Sequence, residues 1–406
     1  MPSGQGGKGC VLYSGAIAER RLALAGHGGD LMDVFYFTEM PYAEFPESEA
    51  EKFPSMRLTF PNTYFDPQTA SGLMNRYLDE YQHAEEMGFD GLMINEHHNT
   101  PSCMDVEVNI TGGILARITK RAKILMLGNM LPTSDNPVRL AEEIALLDVI
   151  SGGRIISGFV RGIGIESWAN NTNPIHNRER FEECHDLVVK TWTTPGPFRW
   201  EGNHYHYRAV NPWMLPVQKP HPPVWVPGTG SPETVEWTAR HRYTYAAFLT
   251  PLDVAKNLFA RYREYAAADG WEPGPEKFAF MICAHVNDTD EKAQESGKAF
   301  LWRMNYPLRG PREYWSPPGY TSRAGAAAVA ARRPTPLHEM SYQELQDRYH
   351  LVVGSPDTVI KKLRHIRDEL GIGSILLEAQ GGQLSHADTM RSIELFGKEV
   401  IPALKD

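Results

Sequence analysis

A pair of adjacent histidines follows a short apolar run, in the segment Asn95–Asn99 (NEHHN). Side chains alternate between the two faces of a strand, so His97 shares a face with Met93, while Glu96 points the opposite way. An imidazole can move a proton near neutral pH, which makes His97 a candidate acid–base catalyst. Two alternatives stay open: both histidines bind loop carbonyls, or they bind zinc. Adjacent histidines rarely share one ion and no third ligand has a suitable spacing, so we predict no metal.

Two glycine-rich turns offer places for an anion. Gly158–Gly164 (GFVRGIG) carries Arg161, and Pro227–Glu233 (PGTGSPE) runs into a predicted helix with Ser231 at its N-cap. Small residues let backbone N–H groups approach an anion, a helix N-terminus favours a phosphate, and Arg161 adds a charge-assisted contact. Both segments contain GxG but lack the third glycine of a dinucleotide fingerprint. They are therefore either ordinary turns or parts of a mononucleotide phosphate site.

These motifs follow strands in a regular alternation of short apolar runs and longer helical segments. Strands are predicted at 32–37, 91–95, 124–128, 153–160, 224–226, 243–249, 277–285 and 374–378. Alternation implies parallel strands joined by helices, and eight such units most simply close into a barrel. A doubly wound open sheet is the alternative, but it usually has a glycine-rich turn where this chain has Thr38–Tyr42 (TEMPY). We predict an α/β fold, a (β/α)8 TIM barrel with insertions after strands 4 and 7.

The barrel is predicted to occupy residues 31–406, with insertions near 195–222 and 306–340. Residues 1–30 are rich in Gly, Ala and Ser and lack the basic start of a signal peptide, so we predict a disordered or loosely docked tail. Chemistry in such barrels occurs at the C-terminal ends of the strands. His97 and both glycine-rich turns are therefore expected at one mouth of the barrel.

Composition and charge exclude several partners. The 406 residues include 41 Lys+Arg and 50 Asp+Glu, a formal net charge of −9, and no basic block that would bind nucleic acid. No apolar run approaches the ~20 residues that span a bilayer, so no membrane partner is expected. The four cysteines, Cys10, Cys103, Cys184 and Cys283, have neither zinc-ribbon nor thioredoxin spacing. Unpaired thiols suit a reducing compartment, which predicts a cytoplasmic location.

With these segments in order, the chain resembles the bacterial luciferase-like monooxygenases, a family of flavin-dependent barrels. The shared motifs lie within Gly88–His98, Leu131–Glu143, Leu147–Gly162, Pro223–Trp237 and Gly354–Asp357. Their order and spacing extend over most of the chain, which is more specific than any one motif. Luciferase itself has a cysteine beside the flavin where this chain has Val160, so light emission is not implied.

The resemblance implies FMN at the barrel mouth, with His97 acting near it. The implied cofactor-binding residues, which include those around the phosphate, are Asn129, Arg161, Gly162, Gly228, Thr229, Gly230 and Ser231. The family uses reduced flavin, supplied by a separate reductase, and O2 to make a flavin hydroperoxide. That species would oxygenate an organic small molecule. Related barrels commonly pair, so a homodimer is expected.

Three alternatives to this function remain. The first is a deazaflavin-dependent reductase or dehydrogenase on the same fold, although the Glu-His-His form leans toward FMN. The second is a non-catalytic flavin-binding protein. The third is a barrel hydrolase that uses acidic groups near strand ends, for which Glu39, Glu96 and Glu378 are the candidates, although no paired-carboxylate pattern distinguishes them.

Overall fold

The computed structural model describes residues 32–323, 325–327 and 335–405. In chain order the strands are β1 (Asp33–Phe37), β2 (Gly91–Ile94), β3 (Lys123–Met130), β4 (Ile155–Val160), β5 (Phe198–Glu201), β6 (His206–Val210), β7 (Val224–Gly228), β8 (Thr244–Phe248), β9 (Phe278–Val286), β10 (Leu351–Gly354) and β11 (Ser374–Glu378). Strands β1, β2, β3, β4, β7, β8, β9 and β11 pair in parallel, and β11 returns to β1. The predicted eight-stranded α/β barrel is confirmed, while the predicted tail at 1–30 lies outside the described residues.

Helices surround this ring. The α-helices are α1 (Glu47–Ala50), α2 (Pro67–Glu86), α3 (Val108–Ile118), α4 (Pro137–Ser151), α5 (Gly164–Ala169), α6 (Asn177–Thr193), α7 (Pro232–Arg240), α8 (Leu252–Ala268), α9 (Asp290–Ser296), α10 (Phe300–Asn305), α11 (Arg312–Trp315), α12 (Tyr342–Asp347), α13 (Pro356–Leu370), α14 (His386–Leu395) and α15 (Ile401–Lys405). Within the described ranges, no helix is both long and apolar enough to cross a membrane.

Alternation along each strand builds two apolar layers. Phe35, Met93, Leu125 and Trp225 belong to a cluster of buried residues inside the ring. The residues between them along each strand, such as Tyr36, belong to the larger cluster between strands and helices. A side chain just beyond a strand therefore faces the barrel mouth only if it has the same parity as the interior residues.

The sequence pattern does not predict β10. This strand pairs with the C-terminal half of β9, with Leu351 beside Cys283 and Gly354 beside Val286. Strand β11 pairs with an earlier part of β9, from Ala279 to Cys283. A four-residue apolar run cannot be distinguished by periodicity from part of a buried helix, which is why β10 escapes prediction.

Both insertions leave the barrel at the predicted places. The first, near 195–222, contains the antiparallel hairpin of β5 and β6. The second, near 306–340, contains α11, and its described part reaches the end of β4, where the Tyr320 hydroxyl donates a hydrogen bond to the carbonyl of Gly162. The second insertion therefore touches the mouth of the barrel.

The close approach of β3 and β4 requires a glycine. A Cβ atom on Gly158 would lie 2.1 Å from the carbonyl oxygen of Met126 and 2.6 Å from Cα of Leu127. Both are backbone atoms of a neighbouring strand and cannot rotate away. Gly158 therefore sets the spacing of the two strands on the β4 side of the mouth.

We expect Gly158→Ala to lower the free energy of unfolding by about 2–3 kcal/mol, because the methyl group must push two paired strands apart. Urea unfolding followed by circular dichroism measures this change. Gly72→Ala is the matched control, since Gly72 lies inside α2 and a Cβ there meets nothing within 4 Å. Alanine at that position should raise the free energy of unfolding by about 0.5–1 kcal/mol. Equal free energies of unfolding for Gly158→Ala and wild type would show that the two strands accept the methyl group, and would contradict this prediction.

Candidate functional site

The segment after β2 sends its side chains in the predicted directions. Met93 belongs to the barrel interior, whereas Glu96 accepts a hydrogen bond of 3.0 Å from the backbone N–H of Val108 at the start of α3. Burial raises the pKa of Glu96 to about 7, despite that hydrogen bond. His97 has the parity of Met93 and lies over the mouth, where its backbone N–H binds the carbonyl of Asp105.

One buried carboxylate binds both histidines. Nδ1 of His97 lies 2.8 Å from Oε1 of Glu166, and Nδ1 of His98 lies 3.3 Å from Oε2 of the same side chain. Glu166 is 2% exposed and comes from α5, the short helix after β4. The histidines therefore share a carboxylate rather than each binding a loop carbonyl. Among the described residues, neither belongs to a group of three metal ligands.

Glu166 is held as an anion. Burial alone would raise its pKa, but the hydrogen bonds from His97 and His98 and the charge of Arg57 outweigh burial and lower the pKa to about 2. The hydrogen bond to Glu166 also raises the pKa of His98. An ionised carboxylate only accepts hydrogen bonds, so Nδ1 of each ring carries a proton.

Buried arginines link Glu166 to two further carboxylates. Arg57 lies 4.0 Å from Glu166 and 3.9 Å from Glu39. Arg303 of α10 donates hydrogen bonds of 2.6 Å to both Glu39 and Glu378. Burial opposes its charge, but Glu378 and Glu39 raise the pKa of Arg303. Two of the three carboxylates considered for a hydrolase, Glu39 and Glu378, are therefore already paired with arginine. The third, Glu96, points away from the mouth.

A second feature of the mouth is a cavity of about 240 Å³ lined by Arg161, Pro174, Ile175, Arg178, Glu233, Gly319, Tyr320, Thr321 and Ser322. Two of these residues are cationic. Burial and the charge of Arg161 lower the pKa of Arg178, while the carboxylates of Glu182 and Glu233 act in the opposite direction. The guanidinium of Arg161 lies 5.0 Å from the ring centroid of Tyr320. Such a pair of arginines is suited to an anion with two negative charges.

The second glycine-rich turn borders this cavity through Glu233. Ser231 is the N-cap residue of α7, but its hydroxyl donates to the Glu233 carboxylate, 2.6 Å away, instead of capping the helix. The hydroxyl of Ser322 donates to the same carboxylate, at 2.7 Å. Although burial opposes it, hydrogen bonding by these serines lowers the pKa of Glu233 to about 2. The turn residues Gly228, Thr229 and Gly230 do not themselves line the cavity.

Asn129 and Gly162 lie at the part of the mouth formed by the ends of β3 and β4. Asn129 is 5% exposed near the end of β3, beside Phe159 of β4, and its Nδ2 atom has no hydrogen-bond partner within the described chain. A buried amide donor without a partner is costly, so it fits a polar ligand group at the mouth. Gly162 has a φ of +73° and lies against the side chain of Glu166. Gly162 therefore adjoins the carboxylate that binds both histidines.

The structure therefore brings His97, Asn129, Arg161 and Gly162 to one side of the mouth. Sequence reasoning missed Glu166, Arg57 and Arg178, although each touches or lines the site. Glu166 lies five residues after Arg161, and that proximity in sequence was the only available signal. Arg57 and Arg178 belong to segments with no glycine-rich turn and no strand end, so nothing in the pattern marked them.

Known proteins are similar to this chain in sequence. A sequence model of the luciferase-like monooxygenase family matches residues 59–373. The alkanal monooxygenase alpha chain of Photobacterium leiognathi is 27% identical over 356 residues, which cover 82% of this chain and 94% of that protein.

Solved structures agree on the fold. The oxygenating constituent of 3,6-diketocamphane monooxygenase from Pseudomonas putida, in complex with FMN, is 21% identical with a TM-score of 0.69, over 92% of this chain and 98% of that one. An F420-dependent secondary alcohol dehydrogenase is 16% identical with a TM-score of 0.65, over 93% and 100%. The family match confirms the predicted resemblance and the prediction of a flavin-dependent oxidoreductase. The chain belongs to the luciferase-like monooxygenase family.

Proposed function

We propose that this protein is an FMN-dependent monooxygenase that oxygenates an organic small molecule. The observation that carries the proposal is that the His97–Glu166 pair lies on the same side of the barrel mouth as the cavity lined by Arg161 and Arg178, which we name the two-arginine cavity. Glu166 joins the two features, because it follows Arg161 by five residues and binds His97 directly. One ligand with an anionic end and a reactive ring can then reach both.

Arg161 and Arg178 are proposed to bind the FMN phosphate. A phosphate monoester carries close to two negative charges at neutral pH, and these relieve the repulsion between the arginines. Ser231 and Ser322 supply hydroxyl groups next to the cavity, on the carboxylate of Glu233. Tyr320 lies against Arg161 and is proposed to limit the access of water to the phosphate site.

Glu166 is proposed to orient His97 and to fix its tautomer. Because Nδ1 donates to an ionised carboxylate, Nε2 is the nitrogen that can take up or release a proton at the ligand. Bound reduced flavin supplies the electrons for O2 activation, and a separate reductase is proposed to deliver it. The buried ion pairs around Arg57 and Arg303 hold the rest of the mouth rigid, which helps exclude water from the reaction.

The rival is a deazaflavin-dependent dehydrogenase, which the similarity to the F420-dependent alcohol dehydrogenase keeps open. O2 uptake and product formation, measured with reduced FMN or reduced F420 and a panel of ketones, sulfur compounds and aromatics, separate the two. We expect O2 uptake that depends on substrate in the assay with reduced FMN and not in the assay with reduced F420. Hydride transfer between F420 and a substrate, without oxygenation, would establish the rival. Flavin binding with no product from any substrate would instead favour a non-catalytic flavin-binding protein.

His97→Ala should keep most of the FMN affinity and lower oxygenation by about 10²-fold or more, because an acid–base group at the ring is lost. Fluorescence titration with FMN and product analysis measure the two effects separately. His206→Ala is the control, since His206 is exposed on the hairpin of the first insertion. Unchanged oxygenation in His97→Ala would exclude the proposed role.

Glu166 should make stability depend on pH in the acid range. Its pKa is about 2 in the folded protein and about 4.5 when unperturbed, so its stabilising effect is present above pH 4.5 and is lost as the pH falls toward 2. Glu166→Gln should be less stable than wild type at neutral pH by on the order of 2–3 kcal/mol. That difference should shrink below about pH 4.5, as carboxylate protonation in wild type removes the same interaction.

Urea unfolding of both proteins at a series of pH values measures the difference. Glu142→Gln is the control, because Glu142 is exposed on α4 and its substitution should change stability little at any pH. A difference between wild type and Glu166→Gln that is the same at every pH would contradict the assignment of an anionic Glu166.

We also propose that the protein is a cytoplasmic homodimer. Helices α3 and α4 pack side by side and expose large aliphatic side chains, a set that we name the helix patch. It consists of Val106, Ile110, Ile114, Leu146, Val149 and Ile150, between 39% and 66% exposed. Exposed apolar side chains on two packed helices suit an interaction site, and a second copy offers the same surface. The described cysteines are buried and unpaired, which suits a reducing compartment.

Ile110→Glu should convert the dimer to a monomer, because each copy would place one charge in the proposed apolar interface. Light scattering coupled to size-exclusion chromatography gives the mass of each variant. Trp213→Glu is the control, since Trp213 is 94% exposed on the first insertion and lies outside the helix patch. A monomeric wild type at micromolar concentration would exclude the dimer.

A further inference from the structure

Three metal-ligating side chains meet where the hairpin of β5 and β6 packs against the start of α6. Oε2 of Glu179 lies 3.5 Å from Nδ1 of His176 and 3.3 Å from Nε2 of His204. The three ligand atoms all lie within 4.8 Å of one another. His176 is half exposed and Glu179 is largely exposed, so an ion can enter from solvent.

Two of the three spacings between the ligand atoms are close to those around zinc. Zn²⁺ binds nitrogen and oxygen ligands at about 2.0–2.1 Å in tetrahedral geometry, which places two such ligands about 3.3 Å apart. The distances from Glu179 to His176 and to His204 are close to that value before any side chain moves. Two histidines and one carboxylate are also a common ligand set for zinc with an open fourth position.

The burial of His204 adds to this assignment. Its Nε2 atom is buried, faces Glu179, and makes no hydrogen bond within the described chain. The 3.3 Å contact with Glu179 is within the distance of an ion pair but is not a hydrogen bond. A metal ion bound between the two groups would give this buried nitrogen a direct ligand bond.

The backbone around the ligands is fixed in advance. The carboxylate of Glu183 accepts hydrogen bonds of 3.0, 2.9 and 3.0 Å from the backbone N–H groups of Asn203, His204 and Tyr205. Glu183 and Glu179 are four residues apart on α6, so they share one face of the helix. The hairpin loop that carries His204 is therefore held directly over Glu179.

A second group of similar composition does not have these properties. His185, Asp186 and His241 also converge. However, Nδ1 of His185 lies 2.9 Å from Asp186, and its Nε2 lies 2.9 Å from the hydroxyl of Tyr243. Nδ1 of His241 is bound to the carbonyl of Trp237. The ring nitrogens of His185 are already used, so this group is a hydrogen-bond network.

We propose that His176, Glu179 and His204 bind one divalent transition-metal ion of the zinc class, with water in the fourth position. The ion would tie the hairpin of the first insertion to the start of α6. Ile175 and Arg178, which flank these ligands in sequence, line the two-arginine cavity. The metal therefore stabilises one wall of that cavity, and it takes no part in the flavin chemistry.

Isothermal titration of the EDTA-treated full chain with Zn²⁺ tests the proposal, together with the absorption spectrum of the Co²⁺-loaded protein. We expect one equivalent to bind, tetrahedral Co²⁺ absorption bands, and a rise in melting temperature with added Zn²⁺. His204→Ala and Glu179→Gln should each weaken Zn²⁺ binding by 10-fold or more, since each removes a ligand. His176→Ala should weaken Zn²⁺ binding to the same extent, and because His176 is half exposed its replacement should leave the fold intact.

The control is His206→Ala, two residues after His204 on the same hairpin and exposed. It should bind Zn²⁺ with wild-type affinity. Equal Zn²⁺ affinity in all four variants would show binding elsewhere on the surface and would overturn the proposal, as would the absence of binding to wild type. Either result leaves the flavin assignment untouched, because none of these residues contacts the His97–Glu166 pair.

Discussion

The whole site depends on the parallel direction of the eight barrel strands. Parallel strands end at one rim, and alternation along each strand then decides which of the following residues face the mouth. His97 follows β2 and Arg161 follows β4, with only β3 between them. Their closeness follows from the direction and the order of these strands, together with the parity of the residues that follow them.

Burying so many charged groups at this rim requires that each be paired. Glu378, Arg303, Glu39, Arg57 and Glu166 alternate in sign along a chain of contacts that ends on the histidines. A single member left alone would face a desolvation cost of several kcal/mol, so the chain is stable only as a unit. The Glu166 carboxylate at the end of this chain is anionic mainly because His97 and His98 donate hydrogen bonds to it, with a further contribution from the charge of Arg57.

The sequence was sufficient for the parts of the molecule that follow local rules. The period of two in each strand, the eight alternating units and the direction of His97 are local patterns, and the structure confirms them. Glu166, Arg57 and Arg303 were not predictable in the same way, since each acquires its role through a partner more than 60 residues away or on another element. Ser231 shows the same limit, because its cap position was predictable and its bond to Glu233 was not.

The second insertion contacts both parts of the site. Tyr320 packs on Arg161 and donates to the carbonyl of Gly162, and Ser322 binds Glu233. The carbonyl of Pro307 accepts a hydrogen bond from the buried Arg57. One inserted segment therefore contacts both the two-arginine cavity and the ion-pair chain. Through Arg57 the insertion also reaches Glu166, the carboxylate that binds His97, so a change in the insertion can alter both the shape of the pocket and the setting of His97.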